Sequence, residues 1–340
     1  MRVALITTTI NVPTVLALYR KLGPDVEMFV AGDYKTPPEA YEFCEQLEYD
    51  SGTTIHFYNP RGQGAYKCSE LLGWNNDSRR NIALLEAVKL GAEIIVSIDD
   101  DVYPMGQDFF ERFEIMLSEP YSGMELGAPG RWCDVGGQTI SPAAQRGLPL
   151  GVPTDNSGSF VCDVAIGAMQ GIILGVPDTD AGTTIISHPF VHSATDILRN
   201  GFVIDPQAKS VFNSQVTAFR RELAPCFAQF YKWQGRNTDI MASLIMRRIM
   251  REQNLHTYFG PPFVFHNRSP RDPNKDFNAE KWGRENVIRF QECLDATILP
   301  PVSVVQQTQY LYDVLGAAGH LPTGMEDAVS AFLEDMEGVL

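Results

Sequence analysis

The sequence is short of positive charge. Its 340 residues hold 27 Lys and Arg against 42 Asp and Glu, a formal net charge of −15. A surface of that sign argues against a general nucleic-acid or anionic-membrane binder, which neutralises phosphates with basic groups. Paired cysteines are also missing. The six, Cys44, Cys68, Cys133, Cys162, Cys226 and Cys293, are widely spaced and none forms a C-x-x-C pair. That spacing disfavours a zinc site and a disulfide framework, and reads as free thiols in a reducing compartment. No run approaches the ~20 apolar residues of a membrane span. The opening MRVALITTTINVP carries one Arg and an apolar run broken by threonines, so it reads as a β-strand and not as a signal peptide. A cytoplasmic protein without a membrane span is expected. Internal repeats and low-complexity tails are absent too.

The composition is otherwise that of a globular protein, 44 % hydrophobic and 20 % charged. A chain this long buries about three quarters of its unfolded surface, so it needs no disulfide or structural metal. Strand and helix patterns alternate through the first hundred residues. Strands are expected at 2–8, 26–31, 53–57 and 93–98, with helices at 13–22, 37–47 and 78–90. Such βαβ units imply an α/β protein with a mostly parallel sheet flanked by helices. Ligands bind beyond the carboxyl ends of such strands. From Tyr121 to Asp205 the chain is dense in Gly and Pro and reads as loops around a strand near 160–174. Helices are expected again at 223–231, 239–253 and 279–294 and through the last forty residues.

The sharpest feature is IIVSIDDDVYP, Ile94 to Pro104, where three aspartates end a hydrophobic strand. Carboxylates there are costly unless neutralised. A hard divalent cation, Mn²⁺ or Mg²⁺, takes oxygen ligands and keeps positions open for phosphate oxygens. An Asp pair holding such an ion against a diphosphate suits a leaving nucleoside diphosphate. The alternative is a solvated acidic turn. Asp99 and Asp101 are the candidate metal contacts, directly or through the sugar and ribose. Asp100, between them, points the other way on an extended chain.

A βαβ half ending in an Asp-x-Asp strand resembles the GT-A-fold nucleotide-sugar glycosyltransferases. Within them the chain resembles the reversibly glycosylated polypeptides, the UDP-arabinopyranose mutases, from about Val3 to Pro300. The stretches carrying the likeness are SIDDDVYP, QRGLPLG (145–151), IILGVPDTDA (172–181), FNSQVTAFRRELAPCF (212–227), GRNTDIMASLIMRRI (235–249) and PPFVFHNRSPRDP (261–273). The resemblance implies a GT-A-like domain over 1–300, with a nucleotide half at 1–101 and a sugar or acceptor half at 102–300. A helical C-terminal extension follows at 301–340. It also implies that Arg146 is the sugar-contacting or reversibly glycosylated arginine, although a guanidinium stays protonated and is a poor nucleophile. Asp239 falls near the sugar, where it binds a hydroxyl or acts as base, its alternative being a helix cap. His266 completes the metal site, its alternative being an ordinary polar residue.

Other candidates come from position. Thr7, Thr8 and Thr9 end the first strand and Asp33 the second. There Thr8 is expected to touch the ribose and Asp33 to accept the uracil N3–H. Arg79 and Arg80, before a helix, and Arg268 and Arg271, in a turn, have forks suited to diphosphate oxygens. Asp99 and Asp100 join this nucleotide-sugar set. Three functions follow as expectations: a UDP-arabinopyranose/UDP-arabinofuranose mutase, a glycosyltransferase with a separate acceptor, or a non-catalytic self-glycosylating binder. The expected partner is a UDP-sugar, UDP-arabinose first; nucleic acid is not expected. The helical C-terminus leaves room for a homo- or hetero-oligomer.

Overall fold

The computed structural model describes residues 1–233, 236–268 and 271–340. Gly235, Ser269 and Pro270, within the stretches quoted above, lie outside the described residues. The first hundred residues form β1 (Val3–Thr8), α1 (Leu16–Leu22), β2 (Glu27–Ala31), α2 (Pro38–Ser51), β3 (Ile55–Tyr58), α3 (Arg80–Lys89) and β4 (Ile94–Ile98). These are the expected elements, each within a few residues of its expected ends. Their strands pair in parallel in the order β3-β2-β1-β4. β4 is buried at all five positions, as a central parallel strand covered on both faces must be.

The rest of the chain extends this sheet. It supplies β5 (Val102–Met105), α4 (Phe109–Ser118), β6 (Tyr121–Leu126), β7 (Thr139–Ile140), β8 (Gly158–Gly175), α5 (Ala181–Ser187), β9 (Ser193–Ala194), α6 (Asp196–Asn200), β10 (Phe202–Ile204) and β11 (Val216–Arg220). Then come α7 (Thr238–Glu252), β12 (Leu255–His266), α8 (Pro273–Ala279), α9 (Lys281–Ala296), α10 (Val304–Ala317) and α11 (Met325–Glu337). Among the described residues the main sheet has ten strands, in the order β3-β2-β1-β4-β11-β8-β6-β10-β12-β5. β11 runs antiparallel to β4 and β8, so parallel pairing dominates only in the N-terminal half. β8 is long enough to meet β6 with its first half and β12 with its second. The helix expected at 223–231 is instead a 3-10 turn over Arg221–Phe227 with Pro225 inside it. Proline has no N–H to continue an α-helix and its ring clashes with the preceding turn.

The sheet lies between two hydrophobic layers. β1 sends Ala4 and Ile6 to one face and Leu5 to the other; β2 divides Phe29 and Ala31 from Met28 and Val30. The first face is covered by α3, α7 and the C-terminal helices, through Leu84, Ile245, Phe290, Leu311 and Phe332. The second is covered by α1 and α4, through Leu16, Tyr19, Phe109 and Phe113. All six cysteines are free. No described helix is long and apolar enough to cross a membrane.

Phe332 is fully buried, and its ring meets Phe230 edge-on at 6.1 Å. Phe332→Ala should therefore cost about 3–5 kcal/mol in denaturant unfolding. A loss below about 1 kcal/mol would mean that α11 contributes little to the common core.

Candidate active site

The carboxyl ends of β1 and β4 open into a polar cavity of about 400 Å³. Eight segments build its wall. β1 ends in Thr8 and Thr9, followed by Asn11; the loop before α3 brings Asn75, Asn76, Asp77 and Arg80. The turn after β4 brings Asp99, Asp100 and Asp101. Ser214 and Gln215 precede β11, and His266 ends β12 with Arg268 and Arg271 beyond. Arg146, Asp178, Arg236 and Asp239 close the far side.

Sheet register explains one pairing. β12 runs antiparallel to β5 with His266 opposite Val102, which sets the imidazole beside Asp101. His266 Nε2 lies 3.3 Å from Asp101 Oδ2. Burial works against both charges, yet the mutual hydrogen bond and attraction prevail. The Asp101 carboxyl is held below the usual carboxylate range and the His266 imidazole above its ordinary value. Asp99 Oδ1 accepts from Arg80 Nη2, and Arg80 Nη1 donates to Ser214 Oγ at 2.6 Å. Asp100 accepts from the Thr9 hydroxyl and, at 3.4 Å, from Asn11 Nδ2; burial raises its carboxyl. All three aspartates face the cavity. The strand stops at Ile98, so the alternation expected to turn Asp100 away does not operate in the turn.

Arg146 lies in the ion-pair cluster opposite. Gly147, in left-handed backbone at φ +94°, carries its loop tightly against Ile240 of α7. All five N–H donors of Arg146 are spent. Nη1 and Nη2 meet Asp239 Oδ1 at 3.0 Å and Oδ2 at 2.8 Å; Nε and Nη2 meet Asp178 Oδ2 at 3.1 and 2.7 Å; Nη1 also meets the Arg236 carbonyl. Burial opposes the charge, but Asp178 and Asp239 hold the guanidinium more firmly protonated than usual. Asp178 also takes Arg236 and, at 3.4 Å, Arg268. Burial alone would raise its carboxyl; the three arginines hold it far below the usual range. Arg268 and Arg236 share Asp276 as well. Asp239 accepts the N–H groups of Ile240 and Ser214, so its carboxylate is wholly engaged. Arg271 is exposed and, among the described residues, makes no ion pair.

The expected residues divide. Thr8, Arg80, Asp99, Asp100, Asp101, Arg146, Asp239, His266 and Arg268 all line this one cavity. Asp33 and Arg79 do not. Asp33 is buried and serves its own turn, accepting Tyr34 N at 2.7 Å and the N–H groups of Asn75 and Asn76. It holds the loop that carries Asn75 and Asn76 to the wall. Arg79 is fully buried, bonded to Gln63 and Ser69 with Trp74 against its guanidinium at 3.8 Å. Thr7 is turned to the Ile98 carbonyl. Sequence reasoning missed Asp77, Asn75, Asn76, Asp178 and Arg236. Asp77 is an exposed residue at the cavity wall; desolvation there, then the Asp239 charge, raises its carboxyl, and Thr238 Oγ1 donates to Oδ2 at 3.1 Å.

Among the described residues no three His, Cys, Asp or Glu side chains are grouped as a closed metal site requires. The Asp101–His266 pair nevertheless offers one oxygen and one nitrogen donor side by side. That suits a hard ion that keeps waters and phosphate oxygens for its other positions.

No protein-family model matches the chain, and no curated protein matches its sequence. Among solved structures it is similar to a mannosyltransferase from Pyrobaculum calidifontis in complex with GDP-Man and Mn²⁺. The identity is 12 %, over 99 % of this chain and 86 % of that one, with a TM-score of 0.39. It is also similar to mouse xyloside xylosyltransferase 1 in its apo form. There the identity is 12 %, over 48 % of this chain and 66 % of that one, with a TM-score of 0.22. Likenesses this weak assign no chemistry.

Asp178→Asn would leave three buried arginines short of a shared anion and should cost roughly 3–5 kcal/mol at neutral pH. A carboxyl held low in the folded state stabilises fully above its unfolded value near pH 4. That contribution fades as pH falls through the depressed folded value. The wild type's margin over the variant in denaturant melts should therefore be constant from about pH 5 to 8 and shrink in strong acid. A margin that grows on acidification would contradict the assignment.

Proposed function

We propose that this chain is a glycosyltransferase that takes its sugar from a UDP-sugar with a divalent cation, Mn²⁺ or Mg²⁺. The observation that carries this reading is the opposition of charges in one cavity. The Asp99–Asp101 turn with His266 lines one side, and the arginines 80, 268 and 271 lie around it. A metal–diphosphate needs both: carboxylates for the ion and guanidiniums for the phosphate oxygens. Asp101 and His266 would hold the ion, with Asp99 beside them on Arg80. The ion, when bound, neutralises charge on the departing diphosphate.

The remaining roles belong to the chain's own groups. Residues 1–101 supply the nucleotide half, where Thr8, Asn11, Asn75 and Asn76 meet the nucleoside. Residues 102–300 supply the sugar half, and 301–340 form the helical extension. Arg271, which makes no ion pair among the described residues, is a cation available to the diphosphate. The bond from the anomeric carbon to the diphosphate oxygen breaks, UDP leaves, and an acceptor hydroxyl oxygen bonds to that carbon. Asp77 is the carboxylate placed to take the hydroxyl proton on Oδ1, because Oδ2 is bonded to Thr238 and Asp239 is spent on Arg146. A raised carboxyl suits a general base better than an ordinary one.

The mutase reading, with UDP-arabinopyranose and UDP-arabinofuranose as its pair, has Arg146 and Asp239 hold the sugar while the ring opens and recloses; in its self-glycosylating form it asks Arg146 to react with the sugar. So does the self-glycosylating binder. A guanidinium held charged with every N–H bonded has no lone pair to offer. Arg146 therefore shapes the sugar end of the cavity as a fixed charge, and transfer to a separate acceptor is the reading retained.

The test is release of UDP from a panel of UDP-sugars, with isomer analysis of the arabinose pair alongside. Activity should need Mn²⁺ or Mg²⁺, stop with EDTA, and fall about 100-fold or more in Asp101→Asn and His266→Ala that stay folded. Asp77→Asn should lower turnover about 100-fold with little change in UDP affinity. Interconversion of the two UDP-arabinoses without an acceptor would restore the mutase. Failure to bind UDP with or without metal would overturn the proposal.

A further inference from the structure

A second, smaller cavity of about 70 Å³ adjoins the first and shares Arg146 and Asp178 with it. It sits between β8 and the Ala143–Arg146 loop, at the end of the site assigned above to the sugar. Its wall is mainly apolar: Ala144, Ile172, Val211, Phe212 and Ile240. Thr139, Gln145, Thr179 and Asn213 also line it and are hydrogen-bonded to the surrounding protein, as are Arg146 and Asp178; Gln170 differs. It is 93 % buried, and its amide is oriented by the Asn213 N–H, which donates to Oε1 at 3.0 Å. That bond fixes which end of the amide is nitrogen. Nε2 has no partner among the described residues, so two N–H groups remain for an occupant.

We propose that this cavity receives the acetyl part of an acetamido group on the transferred sugar, so that the donor is a UDP-acetamido sugar. The inference rests on the glycosyltransferase reading and narrows it. Three constraints select the group. The free polar atom is a donor only, so the occupant must present an acceptor oxygen. Most of the surrounding wall is aliphatic or aromatic and its other polar groups are already bonded, so the remainder is apolar. A cavity of 150 Å³ takes benzene, about 25 Å³ per heavy atom, so 70 Å³ takes roughly three. Carbonyl carbon, carbonyl oxygen and methyl number three. A hydroxyl supplies one heavy atom and no apolar end. Water satisfies Gln170 but wets the aliphatic walls.

The experiment is calorimetric titration of the full chain with UDP, UDP-glucose and UDP-N-acetylglucosamine in Mn²⁺. The two sugars differ at one substituent, so their affinity ratio isolates it. The wild type should bind the acetamido sugar about tenfold tighter, the scale of one hydrogen bond plus a buried methyl. Gln170→Leu should bring the ratio close to one. Ala144→Leu, which narrows the cavity from the opposite loop, should do the same, so the test survives if one variant misfolds. A general weakening cancels in the ratio. Equal affinities in the wild type, or a preference that persists in both variants, would overturn the acetyl pocket while UDP binding left the donor site standing. Absence of UDP binding would overturn the site itself.

Discussion

Asp178 is a single carboxylate shared by three arginines from three separate segments. Arg146 arrives on a Gly/Pro loop, Arg236 just before α7, and Arg268 beyond the end of β12. None of these segments is held in its position by a continuous sheet or helix at that point. Their common geometry depends on one anion. Buried charges are tolerated only when paired and fully hydrogen-bonded, which here demands that all three guanidiniums arrive together. Asp239, Asp276 and Glu280 then take the donors Asp178 leaves over, and so tie α7, α8 and α9 to the same point. Moving Arg146 would leave Asp239 without its ion-pair partner, while Asp178 and Asp276 are each held by more than one arginine.

This network also governs which chemistry the site favours. An arginine beside two carboxylates in a buried place is made a better cation and a worse nucleophile. Arg146 in an exposed Gly/Pro loop would be free; Arg146 with five bonded N–H groups is a fixture. The same argument removes Asp239 from proton transfer, since its carboxylate neutralises Arg146. Asp77 has, among the described residues, no cation bonded to it and faces the cavity, so in the proposed transfer it would take the proton-accepting role.

The first hundred residues were legible because βαβ units carry their periodicity in the sequence. Hydrophobic runs, amphipathic spacing and the Asp triplet all sit within a window of a few residues. The second half was less so. β10 has three residues and β11 five, and both exist only because distant strands offer them edges. The site residues divide along the same line. His266 reaches Asp101 through a strand register 165 residues apart, and the likeness to a known family, not the local pattern, pointed to it. Asp33 and Arg79 misled because position at a strand end or helix start says nothing about which way a side chain turns. Asp33 turned inward to cap Asn75 and Asn76. Arg79 turned into Gln63 and Ser69, while its neighbour Arg80, a third of a turn on, faced the cavity.

Net charge bears on this site in an unexpected direction. A chain at −15 repels a UDP-sugar at long range, so attraction must come from local features. Within a Debye length of about 8 Å only the cavity wall counts. There Asp99, Asp101, Asp178 and Asp239 meet arginines or His266, Asp77 and Asp100 meet hydroxyl and amide groups, and Arg271 lies at the mouth with no ion pair among the described residues. A bare diphosphate entering such a wall meets a nearly balanced field. A diphosphate carrying a divalent ion has shed most of its own charge and brings ligands the Asp101–His266 pair lacks. In the proposed reading the wall would therefore favour the metal complex of a diphosphate over the free anion.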